Sequence, residues 1–189
     1  IEIVEQNKLT ELTVWDLGDG IESIIRLSSQ MMKLRYGVID STMKYAEFIS
    51  KWLNELSKHV SIKFQMVKDS NHTQMRILGC PKGAFPEENM NKVMLAFIKE
   101  RTKTNPNIRI IENPTGYAYA NICGYNMLAI HGEVKNLGVA VNEFSRTYDT
   151  KINYMIAGHF HHAKSEEMGV DCEAINVRSI IGIDSYGLS

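Results

Sequence analysis

Residues 152–162 read INYMIAGHFHH, a run of strand-forming residues that leads into a glycine and a segment with three histidines. A short apolar run with β-branched and aromatic residues is typical of a strand buried in a sheet. Polar side chains that follow such strands gather beyond the carboxyl ends, where the loops of an α/β sheet converge on a crevice. The segment therefore predicts an α/β fold with a functional site at the strand ends.

The same arrangement recurs at three other places in the chain. One apolar run ends in Asp19 after a glycine, a second leads into Asn71 and His72, and a third ends in His131. Of the six histidines, only His59 lies outside these strand ends. Four apolar runs that each end in a possible metal ligand predict a common site more strongly than any one of them does.

Strand and helix patterns alternate along the rest of the chain. Helical spacing predicts a first helix over residues 21–34 and a second that runs from a cap at Asp40 or Ser41 to Leu56, with Met43 on its buried face. A third predicted helix begins at Pro86, and a fourth covers 136–148. Predicted strands cover 12–17, 61–67, 108–111, 117–122, 125–130, 152–157, 170–177 and 179–183. We therefore expect one α/β domain over residues 1–189, a layered sandwich of two mixed β-sheets flanked by helices.

The bulk composition restricts the class of protein. The chain has 189 residues, 44% hydrophobic and 23% charged, which is the balance of an ordinary globular domain. Its net charge of −1 argues against a strongly basic grip on nucleic acid. Cys80, Cys123 and Cys172 are an odd number without a Cys-x-x-Cys pair, which predicts reduced thiols in a cytoplasmic protein. No apolar run is long enough to span a bilayer, so no membrane partner is expected.

Each motif taken alone has a structural alternative. The aspartate of a Gly-Asp-Gly turn usually bonds to a nearby backbone amide, so Asp19 alone favours a structural role. Asn71 and His72 alone are more typical of a capped loop. His131 at a strand end can equally bond to a backbone carbonyl.

The segment 159–161 is a stronger signal for metal binding. If the segment is extended, His159 and His161 point to one side and Phe160 packs inward on the other. Two neutral imidazoles side by side suit a borderline divalent cation. The alternative is a solvated histidine-rich turn, and His162 is expected to be exposed and without a role.

In chain order the motifs read Gly-Asp-x-x-Glu, Asn-His, His-Gly and Gly-His-x-His, from Gly18 to His161. This order resembles the signature of the calcineurin-like metallophosphoesterase superfamily, which includes protein phosphatases, cyclic-nucleotide phosphodiesterases and double-strand-break repair nucleases. A long helical insertion between the second and third motifs resembles the nuclease-like bacterial and phage branch. The resemblance implies a hydrolase that acts on phosphate esters.

The resemblance also implies a role for each motif residue. Two divalent cations would share the carboxylate of Asp19, with manganese favoured and iron or zinc as alternatives. His72 would be the general acid at the leaving group, and Glu22 would orient it. The substrate would be a phosphodiester in nucleic acid or in a nucleotide. The other metal ligands would be Asn71, His131 and His159 at one cation and His161 at the second.

The family's first motif, Asp-x-His at the end of a strand, does not occur in this chain. Residues 1–8 have the spacing of a helix tail and no initiator Met. We therefore expect the first strand and part of the first helix to lie upstream of Ile1. Without that motif, the cation at Asp19 and His161 would be weakly held.

Three further departures concern the surroundings of the motifs. Asp69 and Ser70 replace the usual glycine before Asn-His, which predicts a changed loop geometry. Thr73 replaces an acidic residue, which predicts changed hydrogen bonding around the ligands. Gly20 stands where similar proteins carry a bulkier apolar residue, which puts the local packing in question.

Basic residues give a weaker signal about the substrate. The favoured phosphate contacts follow motif segments: Arg76, Lys82, Lys135 and Lys164. A second set could line an approach to the site, although its spacing is more typical of solvated helix faces: Arg26, Lys33, Arg35, Lys44 and Lys51.

Other functions stay open at this stage. A chain without the first motif, with ten methionines that could form a pliable surface, could be a metal-binding or partner-binding module without catalysis. A phosphomonoesterase or protein phosphatase is an alternative within the family, and a purely structural domain is another. The sequence also leaves the oligomeric state open.

Overall fold

The computed structural model describes residues 1–22, 34–68, 70–75, 80–81, 83–113, 115–134 and 136–180. Most of the predicted helix over 21–34 and of the predicted strand over 179–183 lies outside these residues. The chain forms two compact units, Ile1–Asn113 and Pro114–Ser189. Several residues named from the sequence also lie outside the described residues: Arg26, Lys33, Asp69, Arg76, Lys82 and Lys135.

The first unit is built on a three-stranded parallel sheet. β1 (Glu11–Asp16) pairs with β2 (Ser61–Met66), which pairs in turn with β3 (Ile108–Ile110). The register runs from Glu11 opposite Ser61 to Asp16 opposite Met66, so β1 and β2 end side by side. Among the described residues of this unit, three helices accompany the sheet: α1 (Glu2–Gln6), α2 (Val38–Leu56) and α3 (Met90–Thr102).

The core of the first unit combines strand residues with one face each of α2 and α3. Phe64, Leu53 and Ile98 are at most 1% exposed in this core. They lie inward because strand side chains alternate in direction and helix side chains return to one face every third or fourth residue. In both helices, the residues that enter this core recur at helical spacing.

The start of α2 differs from the prediction. The helix begins at Val38 with Gly37 as its N-cap, ahead of Asp40 and Ser41. Asp40 lies in the first turn instead, where a negative charge interacts favourably with the helix dipole. Met43 is 48% exposed, so its assignment to the buried face was wrong.

The start of α3 also differs from the prediction. The helix begins at Met90 and not at Pro86. Asn89 is the N-cap, because its side-chain oxygen accepts a hydrogen bond of 2.9 Å from the backbone N–H of Asn91. A proline is favoured at the first helical position, but here the stronger cap lies three residues further on.

The part of the second unit that the structure describes contains a five-stranded mixed sheet. Its spatial order is β4 (Ala118–Ile122), β5 (Tyr125–Ile130), β6 (Tyr154–Ala157), β8 (Cys172–Asn176) and β7 (Lys164–Gly169). The β4–β5 and β7–β8 pairs are antiparallel, whereas β5, β6 and β8 run parallel. α4 (Leu137–Tyr148) contributes Phe144 to the core, where its ring contacts Tyr117 and Tyr119.

The α/β class, with two sheets and accompanying helices, is confirmed. Two details are corrected. The described sheet of the first unit is wholly parallel and not mixed. β7 was not predicted, because all its residues except Met168 are exposed and no apolar alternation marks it. In addition, β8 begins at Cys172 and not at residue 170.

None of the helices described is both long enough and apolar enough to cross a bilayer.

Phe64 provides a test of the first core. Phe64→Ala leaves a cavity at a position that is 1% exposed, so the free energy of unfolding should fall by about 3–5 kcal/mol. Phe48→Ala is the matched control at a 58% exposed position and should change it by about 0.5 kcal/mol or less. Urea denaturation followed by circular dichroism measures both variants. Equal losses would contradict this assignment of the core.

Candidate functional site

The first group of candidate residues lies at the carboxyl ends of β1 and β2. Gly18 and Asp19 form a turn after β1 with left-handed φ values of 92° and 53°. The backbone N–H of Asp19 donates to Ser70 Oγ at 2.8 Å, and Ser70 Oγ donates to Asp19 Oδ1 at 2.6 Å. The backbone N–H of His72 donates to the same Oδ1 at 3.2 Å. The loop after β2 thereby fixes both the backbone and the carboxylate of Asp19.

The base of this turn is held by Tyr45 on α2. Asp16 Oδ1 accepts a hydrogen bond from Gly18 N at 2.9 Å, and Asp16 Oδ2 accepts one from the Tyr45 hydroxyl at 2.8 Å. Burial raises the pKa of Tyr45 well above its usual range, and the neighbouring Asp16 carboxylate raises it further. Tyr45 therefore remains a neutral donor at any pH at which the protein would work.

Gly20 lies directly against the Tyr45 ring. A Cβ atom at this position would be only 2.4 Å from Tyr45 Cζ, well inside van der Waals contact. The ring of Tyr45 occupies the space that a bulkier residue at position 20 would need. Glycine at position 20 therefore leaves room for the Tyr45 ring.

His72 and Glu22 contact each other through their side chains. His72 Nδ1 lies 3.2 Å from Glu22 Oε1, and His72 Nε2 lies 3.9 Å from Asp19 Oδ2. The His72 side chain is 24% exposed. Asn71 is almost fully buried beside it. Two residues that the resemblance pairs as acid and orienting carboxylate thus lie within hydrogen-bonding distance.

The loop that carries Asn71 and His72 is anchored by the start of α3. The Asn91 side chain donates to the backbone oxygens of Val67 and Lys68 at 3.1 and 3.0 Å. Thr73 Oγ1 donates to the Ser70 carbonyl at 3.0 Å. Thr73 therefore bonds within the loop. Sequence reasoning missed Asn91, because a buried asparagine in a first helical turn resembles an ordinary cap.

The second group of candidate residues lies at the carboxyl ends of β5 and β6. His131 follows β5, His159 follows β6, and these strands are parallel neighbours with Ile130 opposite Ala157. His159 Nδ1 and His131 Nε2 are 3.2 Å apart, with the rings arranged edge to face. His131 is 3% exposed. Two imidazole nitrogens therefore converge on one point at this edge of the sheet.

The backbone after each of these histidines is unusual. Gly132 has φ of 105°, and a Cβ there would lie 2.9 Å from the Gly158 carbonyl oxygen. His159 and His161 also have left-handed φ values, 65° and 58°. Segment 159–161 is therefore not extended, and the alternation argument for it was wrong. Position 132 requires glycine for its backbone conformation and for the close approach of the neighbouring loop.

The remaining residues of the histidine-rich segment occupy different environments. Phe160 packs against the core of the second unit, as predicted. His161 and His162 are exposed, and His162 Nδ1 lies 2.6 Å from the Phe160 carbonyl oxygen. The basic candidate Lys164 is exposed on β7 and forms an ion pair with Glu166. Lys44 and Arg35 both lie over the Tyr36 ring.

The donor atoms of each group fit the class of metal that the resemblance implies. Asp19 and Asn71 supply carboxylate and amide oxygen atoms in the first unit. His131 and His159 supply converging imidazole nitrogens in the second. Mixed nitrogen and oxygen donors suit manganese, iron or zinc better than calcium.

No protein-family model matches the chain. The SPbeta prophage-derived uncharacterized protein YonJ of Bacillus subtilis (strain 168) is 29% identical over 191 residues, which cover 98% of this chain and 47% of that protein. The chain therefore spans about half the length of the curated relative that it matches.

Several solved structures are weakly similar to the chain. An archaeal phosphodiesterase has a TM-score of 0.43 at 17% identity, over 93% of this chain and 71% of its own. A Thermotoga maritima protein has a TM-score of 0.43 at 11% identity, over 93% and 92%. A predicted phosphoesterase from Streptococcus pneumoniae TIGR4 has a TM-score of 0.35 at 11% identity, over 71% and 66%. These scores are too low to establish an activity for this chain.

The contact between Gly20 and Tyr45 can be tested by a double-mutant cycle. Gly20→Ala places a methyl group against the Tyr45 ring, so the free energy of unfolding should fall by about 1–3 kcal/mol. In a Tyr45→Leu background the same change should cost clearly less, because the ring is absent. Urea denaturation of the four proteins gives the coupling energy. Strictly additive losses would show that the two residues do not interact.

Proposed function

We propose that this chain is a metal-dependent phosphoesterase that hydrolyses phosphodiester bonds. The observation that most supports the proposal is the convergence of His131 Nε2 and His159 Nδ1, which lie 3.2 Å apart at two strand ends. Neighbouring imidazole nitrogens of this kind are suited to binding one divalent cation. The order of the four sequence motifs, from Gly18 to His161, supports the same reading.

The proposed metal ligands are the residues of the strand ends. Manganese is the proposed cation, with iron or zinc as alternatives, because the ligands mix imidazole nitrogen with carboxylate and amide oxygen. When bound, a pair of such cations supplies a hydroxide near neutral pH and offsets the charge of an in-line transition state. The full proposed set is Asp19, Asn71, His131, His159 and His161.

His72 is proposed as the general acid that protonates the leaving oxygen. The contact between His72 Nδ1 and Glu22 Oε1, at 3.2 Å, supports this role, because the carboxylate fixes the ring orientation and leaves Nε2 for the substrate. Glu22 is thereby a positioning residue.

A phosphodiester of nucleic acid or of a nucleotide is the proposed substrate class. The prophage origin of the YonJ relative is compatible with a nuclease-like role. The proposed alternative is a module that binds metal or a partner without catalysis, since the chain has no Asp-x-His motif. A phosphomonoesterase or protein phosphatase is the other alternative, and a comparison of monoester with diester substrates separates it from the main proposal.

His131→Ala tests the metal-dependent reaction. Manganese-dependent hydrolysis of bis-p-nitrophenyl phosphate by the full-length protein should fall more than about a hundredfold. Loss of a residue that only hydrogen-bonds to a metal ligand already lowers metal affinity or activity by about 10–100-fold, and loss of the ligand itself should cost more. His59→Ala is the control, because His59 contacts Glu5 at 3.3 Å and lies outside both groups. Initial rates and calorimetric titration with Mn²⁺ measure the two effects.

The result for the wild-type protein separates the alternatives. Hydrolysis that is lost in His131→Ala and retained in His59→Ala supports an enzyme. A wild-type protein that binds Mn²⁺ without hydrolysing any ester supports the binding module. A wild-type protein that binds no divalent cation indicates a structural domain.

His72→Asn tests the general acid through the leaving group. With a diester whose leaving group is an alkoxide, the loss of proton donation should lower kcat by about 10²–10⁴-fold. With p-nitrophenolate as the leaving group the loss should be much smaller, because this anion departs without a proton. Glu22→Gln should show the same dependence in a weaker form. Equal losses for both leaving groups would rule out proton donation by His72.

A further inference from the structure

Ser70 is a fully buried serine between the turn after β1 and the motif residues Asn71 and His72. Its hydroxyl forms hydrogen bonds with two groups of Asp19, the backbone N–H and the side-chain carboxylate. The resemblance to known phosphoesterases leads one to expect glycine here, which would supply no hydroxyl. The side chain therefore adds something that the motif pattern does not contain.

The two hydrogen bonds of Ser70 form a closed arrangement. Ser70 Oγ accepts from Asp19 N at 2.8 Å and donates its single proton to Asp19 Oδ1 at 2.6 Å. A hydroxyl has one proton and two lone pairs, so the direction of the second bond follows from the first. A short O–H···O⁻ bond to a carboxylate is among the stronger hydrogen bonds in proteins. The carboxylate is therefore held in one rotamer.

That rotamer determines which oxygen faces which neighbour. Oδ1 points towards Ser70 and the His72 backbone N–H, at 2.6 and 3.2 Å. Oδ2 lies on the side of the His72 ring, 3.9 Å from Nε2. Rotation of the carboxylate would break both bonds to Oδ1, and the left-handed backbone of Asp19 leaves few other orientations.

We propose that Ser70 is a positioning residue that holds the Asp19 carboxylate with Oδ2 directed towards a divalent cation. This inference rests on the proposed function, in which Asp19 is a metal ligand. Pre-orientation of a ligand lowers the cost of ordering it on binding, so the hydroxyl should raise the affinity for the cation. A serine that merely stabilised the turn would affect folding and leave that affinity unchanged.

The test compares variants of the protein by calorimetric titration with Mn²⁺. Ser70→Ala and Ser70→Gly both remove the hydroxyl without adding volume, so either one is informative if the other fails to fold. Ser70→Thr keeps the hydroxyl. Ser50→Ala is the matched control, because Ser50 is also buried and its hydroxyl donates to the Ala46 carbonyl, at 2.6 Å.

Ser70→Ala and Ser70→Gly should each weaken Mn²⁺ binding by about 10–100-fold, whereas Ser50→Ala should leave it unchanged. Ser70→Thr should bind more tightly than Ser70→Ala. The rise in Tm on addition of Mn²⁺ should shrink in the variants without the hydroxyl. Mn²⁺ affinity equal to that of the wild type in both variants would overturn the inference and leave the proposed function intact. Absence of Mn²⁺ binding by the wild type would overturn both.

Discussion

The parallel register of β1 and β2 is the constraint on which the first group of site residues depends. Because Asp16 lies opposite Met66, the two strands end at the same edge. The turn after one strand and the loop after the other therefore start side by side, close enough for Ser70 to reach Asp19. A shift of one residue would send every side chain of a strand to the opposite face. The positions of Asp19 and Ser70 at this edge of the sheet therefore depend on the register.

The same principle operates independently in the second unit. β5 and β6 are parallel neighbours. His131 directly follows β5, and Gly158 alone separates the end of β6 from His159. Sheet geometry brings the two imidazoles together, while Gly132 allows the loops to approach closely. In the first unit, helix residues hold the loops by hydrogen bonds: Tyr45 on α2 donates to Asp16, and Asn91 on α3 donates to the Val67 carbonyl. Strands set the positions and helix residues fix the loops.

Sequence reasoning located the strand ends because their signal is local. An apolar run followed by Gly18 and Asp19, or by His131, can be read in a window of a few residues. The supports of these residues could not be read in that way. Ser70 and Asp19 are separated by 51 residues, and Asn91 and Val67 by 24, so the contacts exist only after folding. The contact of Gly20 with Tyr45 is likewise tertiary.

The errors have equally specific causes. The helix starts were misplaced because Asp40 and Pro86 suit more than one position in a first turn. The assumption of an extended segment at 159–161 failed because both histidines adopt a conformation that is uncommon for residues other than glycine. Strand β7 was missed because its stability comes from pairing with β8 and not from an apolar face.

The position of β7 has a consequence for how the chain behaves in concentrated solution. Within the described part of the chain, β7 is an outer strand of the five-stranded sheet, and it presents Lys164, Glu166 and Glu167 to water. Outer strands invite edge-to-edge growth between molecules, which leads to aggregates. Pairing of two such edges would bring their charged side chains together and remove them from water. The exposed charged side chains, which leave β7 without an apolar alternation in the sequence, therefore also oppose its pairing with the sheets of other molecules.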